Sequence, residues 1–461
     1  MNFFQKPAFY LAALLFICPL ASLCPRDLPS AGIEDDSSLR LSLRDEWFMD
    51  TPDRVLAKKS QVYDLPGGGR VQVRAEATAA EIAVILAREL TGPDGRTMGT
   101  FPGWAQGSWL YVRRRSDGAP LRILVFPRSD NRTYIQFRPL GTDRCLMDMI
   151  LYDAYLSWSL PVAVPFERLF TAPMETVYAA MGEKFKRRYF DPAPENYRDL
   201  RLFINRLRSR LPELSFRDDG AIDAQGRYVF IETLEVQDGK GGLNCSGFAK
   251  WVIDGILRPL SGQRLDIIAL KQPFGQRGTS FTSVWEDLRD PFFGLDWTRN
   301  LASQVWSAFR SPDYSGPADF EIRDLPFSQL IVRSQAASSQ GPSPGPAFKN
   351  YPGYLENSGF GIEGLRPLLY TLAIDEPGRI YLASVNNEIG PPSTPDNLRG
   401  LPRMRQHFHM AVLVPYFDEY SAFQVAVFES AEETRFTRFL ARYPGHNVNL
   451  VRIPVEGPFD P

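Results

Sequence analysis

Between Val62 and Phe170 the chain is built from short apolar runs separated by turn residues, and this pattern constrains its fold more than any other. The runs Val71–Arg74, Ser108–Val112, Leu121–Phe126 and Thr133–Phe137 are short and rich in β-branched and aromatic side chains. Pro66-Gly-Gly-Gly69, Ser116-Asp-Gly118 and Ser129-Asp-Asn131 stand between them and supply turn chemistry. Residues 56–172 are therefore expected to form a β-rich domain, sandwich or barrel-like, with one helical interruption at Ala79–Leu90.

A chain of 461 residues exceeds one ordinary core, so two or three domains are expected. Residues 25–55 are polar and mixed in charge and read as a tether. Residues 173–215 read as a helical linker broken at Asp191-Pro-Ala-Pro194, with Leu200, Phe203, Ile204 and Leu207 at helical spacing. Its basic residues (Lys184, Lys186, Arg187, Arg188, Arg201, Arg206, Arg208, Arg210) read as a solvated face, the alternative being contact with anionic wall polymers or lipid headgroups. Residues 216–461 read as a second domain. It opens with a strand at Arg227–Val236 and a helix from Cys245 to Leu257. A helix at Ile362–Ala373 and strands at Arg379–Ser384, His409–Val414 and Phe423–Phe428 follow. The stretch 261–360 shows little periodicity and reads as an insertion, with a flexible loop at Gln335–Pro346. The expected fold class is α+β.

The net charge of -2 gives no whole-chain reason to expect nucleic acid. Lys6 followed by the apolar run Leu11–Leu23 matches a secretory signal and is short for a membrane span. Cys24 follows Leu20-Ala-Ser-Leu23, which resembles a bacterial lipoprotein cleavage box, so lipidation of Cys24 is expected as an alternative to plain cleavage or retention as an anchor. The expected location is the periplasm or cell envelope, with membrane contact through this segment. Aromatic residues make up 13% of the chain, and Trp104, Trp109, Tyr111 and Trp158 are candidates for stacking on sugars, core packing being the simpler reading. Beyond Cys18 and Cys24 only Cys145 and Cys245 remain. They form one bridge, or two inert buried thiols, or leave one thiol free because it works.

Gly241-Gly-Leu-Asn-Cys-Ser-Gly-Phe-Ala-Lys-Trp-Val252 places Cys245 at the first turn of an amphipathic helix, with Phe248, Trp251, Val252 and Ile256 as its buried stripe and Asn244 as its cap. The unpaired N–H groups and positive dipole end there favour thiolate over thiol, and can also receive an oxyanion. The alternative is a small core residue near a helix start. A thiolate hydrolase needs an imidazole, and the chain has three histidines. His407 and His409 flank Phe408 on a strand, which puts both on one face. They also have the form of half a metal site, but no third ligand cluster has suitable spacing, so no metal is expected. His446 lies in a polar turn. Glu429 ends the neighbouring strand, where it either orients an imidazole or is an ordinary acid at a strand end.

Cys245-Ser-Gly-Phe at a helix head, Pro377-Gly-Arg-Ile-Tyr381, His409-Met-Ala-Val and the strand closing on Phe428-Glu-Ser-Ala431 resemble, in that order, the NlpC-type family of bacterial cell-wall cysteine peptidases. Arg227-Tyr-Val-Phe230 resembles the segment that opens the family's catalytic domain. The resemblance implies a papain-like domain whose nucleophile helix packs on an antiparallel sheet. It also implies a nucleophile at Cys245, a base at His409, an orienting partner at Glu429 and an oxyanion contact from Tyr228. Asn244, Ser246 and His407 are the expected substrate-facing residues. No cofactor is implied, and the substrate would be a peptidoglycan or other envelope amide. A non-catalytic envelope lipoprotein, and a lipid-amide hydrolase or acyltransferase, are the alternatives. This chain departs from the family at Asn244, where the family has Asp, at Ile231-Glu232 in place of Gly-Gly, and at Arg379 in place of Asp.

Overall fold

A computed structural model describes residues 35–92, 96–275, 290–309, 317–332, 347–389 and 404–461. The signal-like segment with Cys18 and Cys24, and the Gln335–Pro346 loop, lie outside the described residues. The chain divides into two compact units. The first comprises the described residues of Met1–Ala193, Phe327–Asn350 and Glu419–Ala422; the second comprises those of Pro194–Pro326, Tyr351–Asp418 and Phe423–Pro461. The architecture mixes α and β, with a large antiparallel sheet in the N-terminal half and most of the helix further on.

In the first unit eight strands follow in order: β1 (Gln61–Asp64), β2 (Arg70–Ala77), β3 (Glu81–Arg88), β4 (Trp109–Arg114), β5 (Pro120–Val125), β6 (Tyr134–Leu140), β7 (Arg144–Leu151) and β8 (Ala154–Val162). Each pairs with the next, and β11 (Gln329–Val332) and β12 (Ala347–Asn350) extend the same sheet beyond β8 to make ten strands. This is one continuous meander rather than two stacked sheets. The expected helix at Ala79–Leu90 is instead β3. Ile82, Val84 and Leu86 enter one apolar cluster while Ala83, Ile85 and Ala87 enter a second, so the strand is apolar on both faces. A strand buried on both sides loses the period-two alternation that would distinguish it from a helix.

The expected tether is also folded where it is described. Helices α1 (Ser37–Leu43) and α2 (Pro52–Leu56) bracket Trp47 and Phe48, both fully buried in the larger cluster. Trp109 and Tyr111 belong to that cluster, and Trp104 packs against the smaller one; Trp158 is exposed. Of the four aromatic candidates, only Trp158 is an exposed large side chain, and its ring lies 5.7 Å from that of Tyr155. The expected helical linker does not exist as a unit. Helix α3 (Met174–Met181) packs into the first core, whereas α4 (Arg198–Arg210) belongs to the second unit. Several arginines of the stretch 173–215 are paired, Arg187 with Glu175, Arg208 with Glu433 and Arg210 with Glu213.

The second unit starts with a short hairpin, β9 (Gly220–Ile222) and β10 (Tyr228–Phe230), followed by helices α5 (Cys245–Ser261), α6 (Ile267–Leu270) and α7 (Phe293–Phe309). A six-stranded antiparallel sheet closes it. In chain order its strands are β13 (Phe360–Gly361), β14 (Arg379–Ile389), β15 (Met404–Phe417), β16 (Phe423–Glu429), β17 (Glu432–Arg435) and β18 (Asn447–Pro454). Their spatial order is β13-β18-β14-β15-β16-β17. Helix α8 (Leu365–Asp375) precedes β14, and α9 (Phe436–Arg442) joins β17 to β18.

Helix α5 is buried on every side from Ser246 to Leu257, rather than amphipathic. It packs on the sheet at β15 and against α7, so no face is left for water. That burial extends to Lys250 and Asp254, which answer one another at 2.6 Å inside the helix. Gly262 in the left-handed conformation ends it, its N–H donating to the Arg258 carbonyl. The stretch 261–360, expected as one insertion, has two fates. Helix α7 is core to the second unit, with Leu295, Trp297, Leu301 and Val305 fully buried, whereas β11 and β12 belong to the first unit's sheet.

Candidate active site

The path into α5 is set by glycines at two close approaches. A Cβ on Gly247 would stand 2.0 Å from the Gly220 carbonyl oxygen, and one on Gly241 would stand 2.0 Å from the first ring carbon of Tyr228. The helix start is thereby pressed onto the β9–β10 hairpin. Asn244 fixes the last step. Its backbone N–H donates to the Gly220 carbonyl at 3.0 Å, and its side-chain oxygen accepts from the Gly247 N–H at 2.8 Å. Asn244 is thus the helix cap, and only its amide nitrogen remains for a substrate.

Cys245 follows as the first helical residue, partly exposed and free. Cys145 is also free but fully buried in the first unit, where burial pushes its thiol up to about 12. The two cysteines form no bridge. The Ser246 hydroxyl lies 4.0 Å from the Cys245 sulfur, and the Ser246 carbonyl accepts the Trp297 indole N–H at 3.1 Å. Ser246 is buried, so it serves the thiol and the helix rather than facing a substrate as expected.

The two histidines part company. His409 pairs with Val385 across β14–β15 and His407 pairs with the next residue, Asn386, because a bulge takes up Phe408 between them. Adjacent strand residues point to opposite faces, so the bulge sends the two rings apart where a regular strand would have put them together. His407 is buried, its Nδ1 hydrogen-bonded to the Ser384 hydroxyl at 2.8 Å and its Nε2 to the Asn357 carbonyl at 3.0 Å. Burial drives its pKa down to about 3, which keeps it neutral. It is neither base nor substrate contact. The two rings therefore do not share a face as half a metal site would need, and among the described residues no group of three or more His, Cys, Asp or Glu could hold a metal ion.

His409 has two partners. Its Nε2 meets Glu429 Oε2 at 2.6 Å, and the Cys245 thiol is its second neighbour, each shifting the other's protonation. Against a carboxylate, Nε2 carries the proton and donates. Burial pulls the imidazole pKa down, but the bonds and charges of Cys245 and Glu429 outweigh it and raise it to about 9. Burial likewise pushes the Cys245 thiol up. The His409 bond and charge, the Met410 backbone N–H and the Ser246 hydroxyl overcome that and leave it below the ordinary thiol value. Both shifts favour thiolate beside imidazolium.

Glu429 is buried and each oxygen is engaged. Oε2 holds His409, and Oε1 accepts from the Thr434 hydroxyl and Arg442, each at 2.7 Å. Burial raises its pKa, but the bonds from His409 and Thr434 and the charges of His409 and Arg442 bring it down to about 2. The Tyr443 ring lies 5.7 Å from the His409 ring, tilted by 32°. Tyr228, expected at the oxyanion, sits on β10 with its ring against Gly241, at the approach to the helix. The N–H groups of the first turn at Cys245 and Ser246 have no carbonyl within the helix to answer them.

Sequence reasoning reached Cys245, His409 and Glu429, and the structure brings these three together. Thr434, Arg442, Tyr443 and Trp297 were missed. Thr434 and Arg442 lie only 5 and 13 positions after Glu429, and a hydroxyl and a cation following a buried acid across a tight turn were the available signal.

The family model described as a Domain of unknown function (DUF8515) matches residues 29–189, about a third of the chain, none of it carrying these residues. No curated protein and no solved structure matches the chain. No helix among the described residues is long and apolar enough to cross a membrane.

Proposed function

We propose that the second unit is a papain-like thiol hydrolase that cleaves amide bonds, with peptides of the cell envelope and peptidoglycan foremost among its substrates. One observation carries this reading. An imidazole is shared between a cysteine at a helix start and a buried carboxylate, with the carboxylate on Nε2. The resemblance to NlpC-type peptidases rests on the same residues in the same order. The apolar segment Leu11–Leu23 followed by Cys24 supports export and attachment to the envelope.

In this mechanism the Cys245 thiolate attacks the amide carbonyl, and the carbonyl oxygen takes the negative charge beside the first-turn N–H groups, with Tyr228 as a further donor. As the intermediate collapses, the C–N bond breaks and His409 gives its Nδ1 proton to the leaving amine. The acyl group stays on sulfur. His409, now neutral, takes a proton from water as that water attacks the thioester, and the acid leaves with the thiolate restored. Glu429 holds the Nε2–H throughout, fixing the ring's tautomer and stabilising its charged form. No step calls for a cofactor. A carboxylate fixed by three donors against an imidazole favours this reading over an inert binding scaffold.

A thiol-directed activity probe tests this. Labelling of wild type at Cys245, lost in Cys245→Ala and weakened in His409→Ala, is the expected result, and a folded, reduced protein that takes no label would refute it. Digestion of purified wall fragments, with the new ends read by mass spectrometry, then tests the substrate class. New amine and carboxyl termini are expected, and acyl transfer without hydrolysis would point to an acyltransferase.

A further inference from the structure

We propose that Arg442 is a positioning residue for the thiol–imidazole pair, acting through Glu429, with Thr434 as its neutral partner. This rests on the thiol-hydrolase reading of the same site. A carboxylate with one oxygen on an imidazole can swing about its last bond unless the second oxygen is also held. Here both donors converge on Oε1 at 2.7 Å, leaving Oε2 aimed at His409 Nε2. The local chain is built for this. Ser430 and Ala431 both have left-handed φ, 49° and 69°, and Glu429 pairs directly with Glu432. That is a two-residue reversal made without the glycine such turns favour. It folds β17 straight back so that the Thr434 hydroxyl reaches the carboxylate it follows by five residues. Helix α9 then ends with Arg442 over the same oxygen, its guanidinium 5.7 Å from the Tyr443 ring that flanks His409.

The charged and titratable groups around this carboxylate are few. Helix α5 contributes Cys245 and β15 contributes His409. The turn and β17 contribute the exposed Glu432, and the end of α9 contributes Arg442 and Tyr443. Arg442 is the cation whose removal leaves Glu429 buried with only the imidazole to balance it, and a buried acid without its cation takes up a proton more readily. A carboxylate released on Oε1 holds His409 Nε2 less firmly, so the imidazolium is less stabilised and the thiolate with it. The acid limb of thiolate formation therefore moves to higher pH.

The second-order rate of Cys245 alkylation by iodoacetamide reads this without a substrate. It is followed on the full chain from about pH 4 to about 10, a span covering the ordinary carboxylate and thiol ranges, with site occupancy read by peptide mass spectrometry. Arg442→Gln is expected to move the acid limb up by about one pH unit, which is about tenfold slower alkylation at the acid end. Arg442→Lys should bring the limb part of the way back, because an ammonium can also reach Oε1. A folded Arg442→Gln protein whose profile coincides with wild type, or a Lys variant identical to the Gln variant, would overturn the proposal. Should Arg442→Gln not fold, Thr434→Val asks the same question, with a smaller shift in the same direction expected and an unmoved limb overturning it. Wild-type Cys245 that alkylates like an ordinary thiol would instead remove the hydrolase reading on which Arg442's role depends.

Discussion

Replacing Gly247 by Ala adds one methyl group where the nucleophile helix meets β9. That Cβ would stand 2.0 Å from the Gly220 carbonyl oxygen and 2.8 Å from the Ala221 Cα, both backbone atoms that no rotamer change can move. Restoring ordinary contact requires the helix start to retreat by on the order of 1 Å. Overpacking of this kind costs about 1–3 kcal/mol. The same retreat stretches the Asn244 cap bond at Gly247 and carries Cys245 away from His409. A displacement of about 1 Å at a reacting group can cost on the order of a hundredfold in rate. Gly247→Ala is therefore expected to lower stability by a few kcal/mol in urea unfolding, while Cys245 loses far more reactivity toward a thiol probe than the folded fraction accounts for. A variant as stable as wild type with unchanged labelling would refute the close approach as the cause of the Cys-Ser-Gly pattern.

Three further outcomes follow from the same geometry. Glu429→Gln should drop the His409 pKa from about 9 toward the ordinary imidazole value, read by NMR of labelled histidine, and an unmoved titration would contradict the carboxylate's role. His407 is buried neutral with a pKa of about 3, so below the unfolded value of about 6.5 the unfolded chain binds the extra proton and stability falls with pH down to about 3, by a total on the order of 5 kcal/mol; His407→Gln should flatten that acid decline while keeping Cys245 reactive, and an equally steep decline would contradict it. Lys250→Met strands the fully buried Asp254, at a cost of about 3–5 kcal/mol, and the double change Lys250→Met with Asp254→Leu should recover part of it in thermal unfolding.

What could be read before folding was the chemistry that depends on neighbours in the chain. Asn244 and Cys245 sit where a cap and a first-turn residue must sit, and Gly247 is three positions further on, so the helix start was visible as a pattern. Strands β14, β15 and β16 were visible from their apolar β-branched runs, and Glu429 from ending one of them. Long-range contacts stayed hidden. Trp47 and Phe48 lie in a polar stretch that reads as a tether, yet each fills a place in the first core. Strand β3 is apolar on both faces, which hides its period. The bulge at Phe408 is a property of the pairing with β14, so the separation of His407 from His409 could not be seen from the spacing His-x-His. Helix α7 lies in a stretch whose sequence shows little periodicity, and its Trp297 is recognisable as support for Ser246 only once the fold has brought them together.

The central claim is that Cys245 rests as a thiolate against a protonated His409. Titration of the ultraviolet thiolate absorbance in wild type, corrected by Cys245→Ser so that Cys145 cancels, measures it directly. Absorbance from Cys245 that develops well below the ordinary thiol pKa of about 8.5, and moves up to that range in His409→Ala, is the predicted result. A Cys245 signal that rises only near the ordinary thiol pKa in wild type, or one indifferent to the loss of His409, would contradict it.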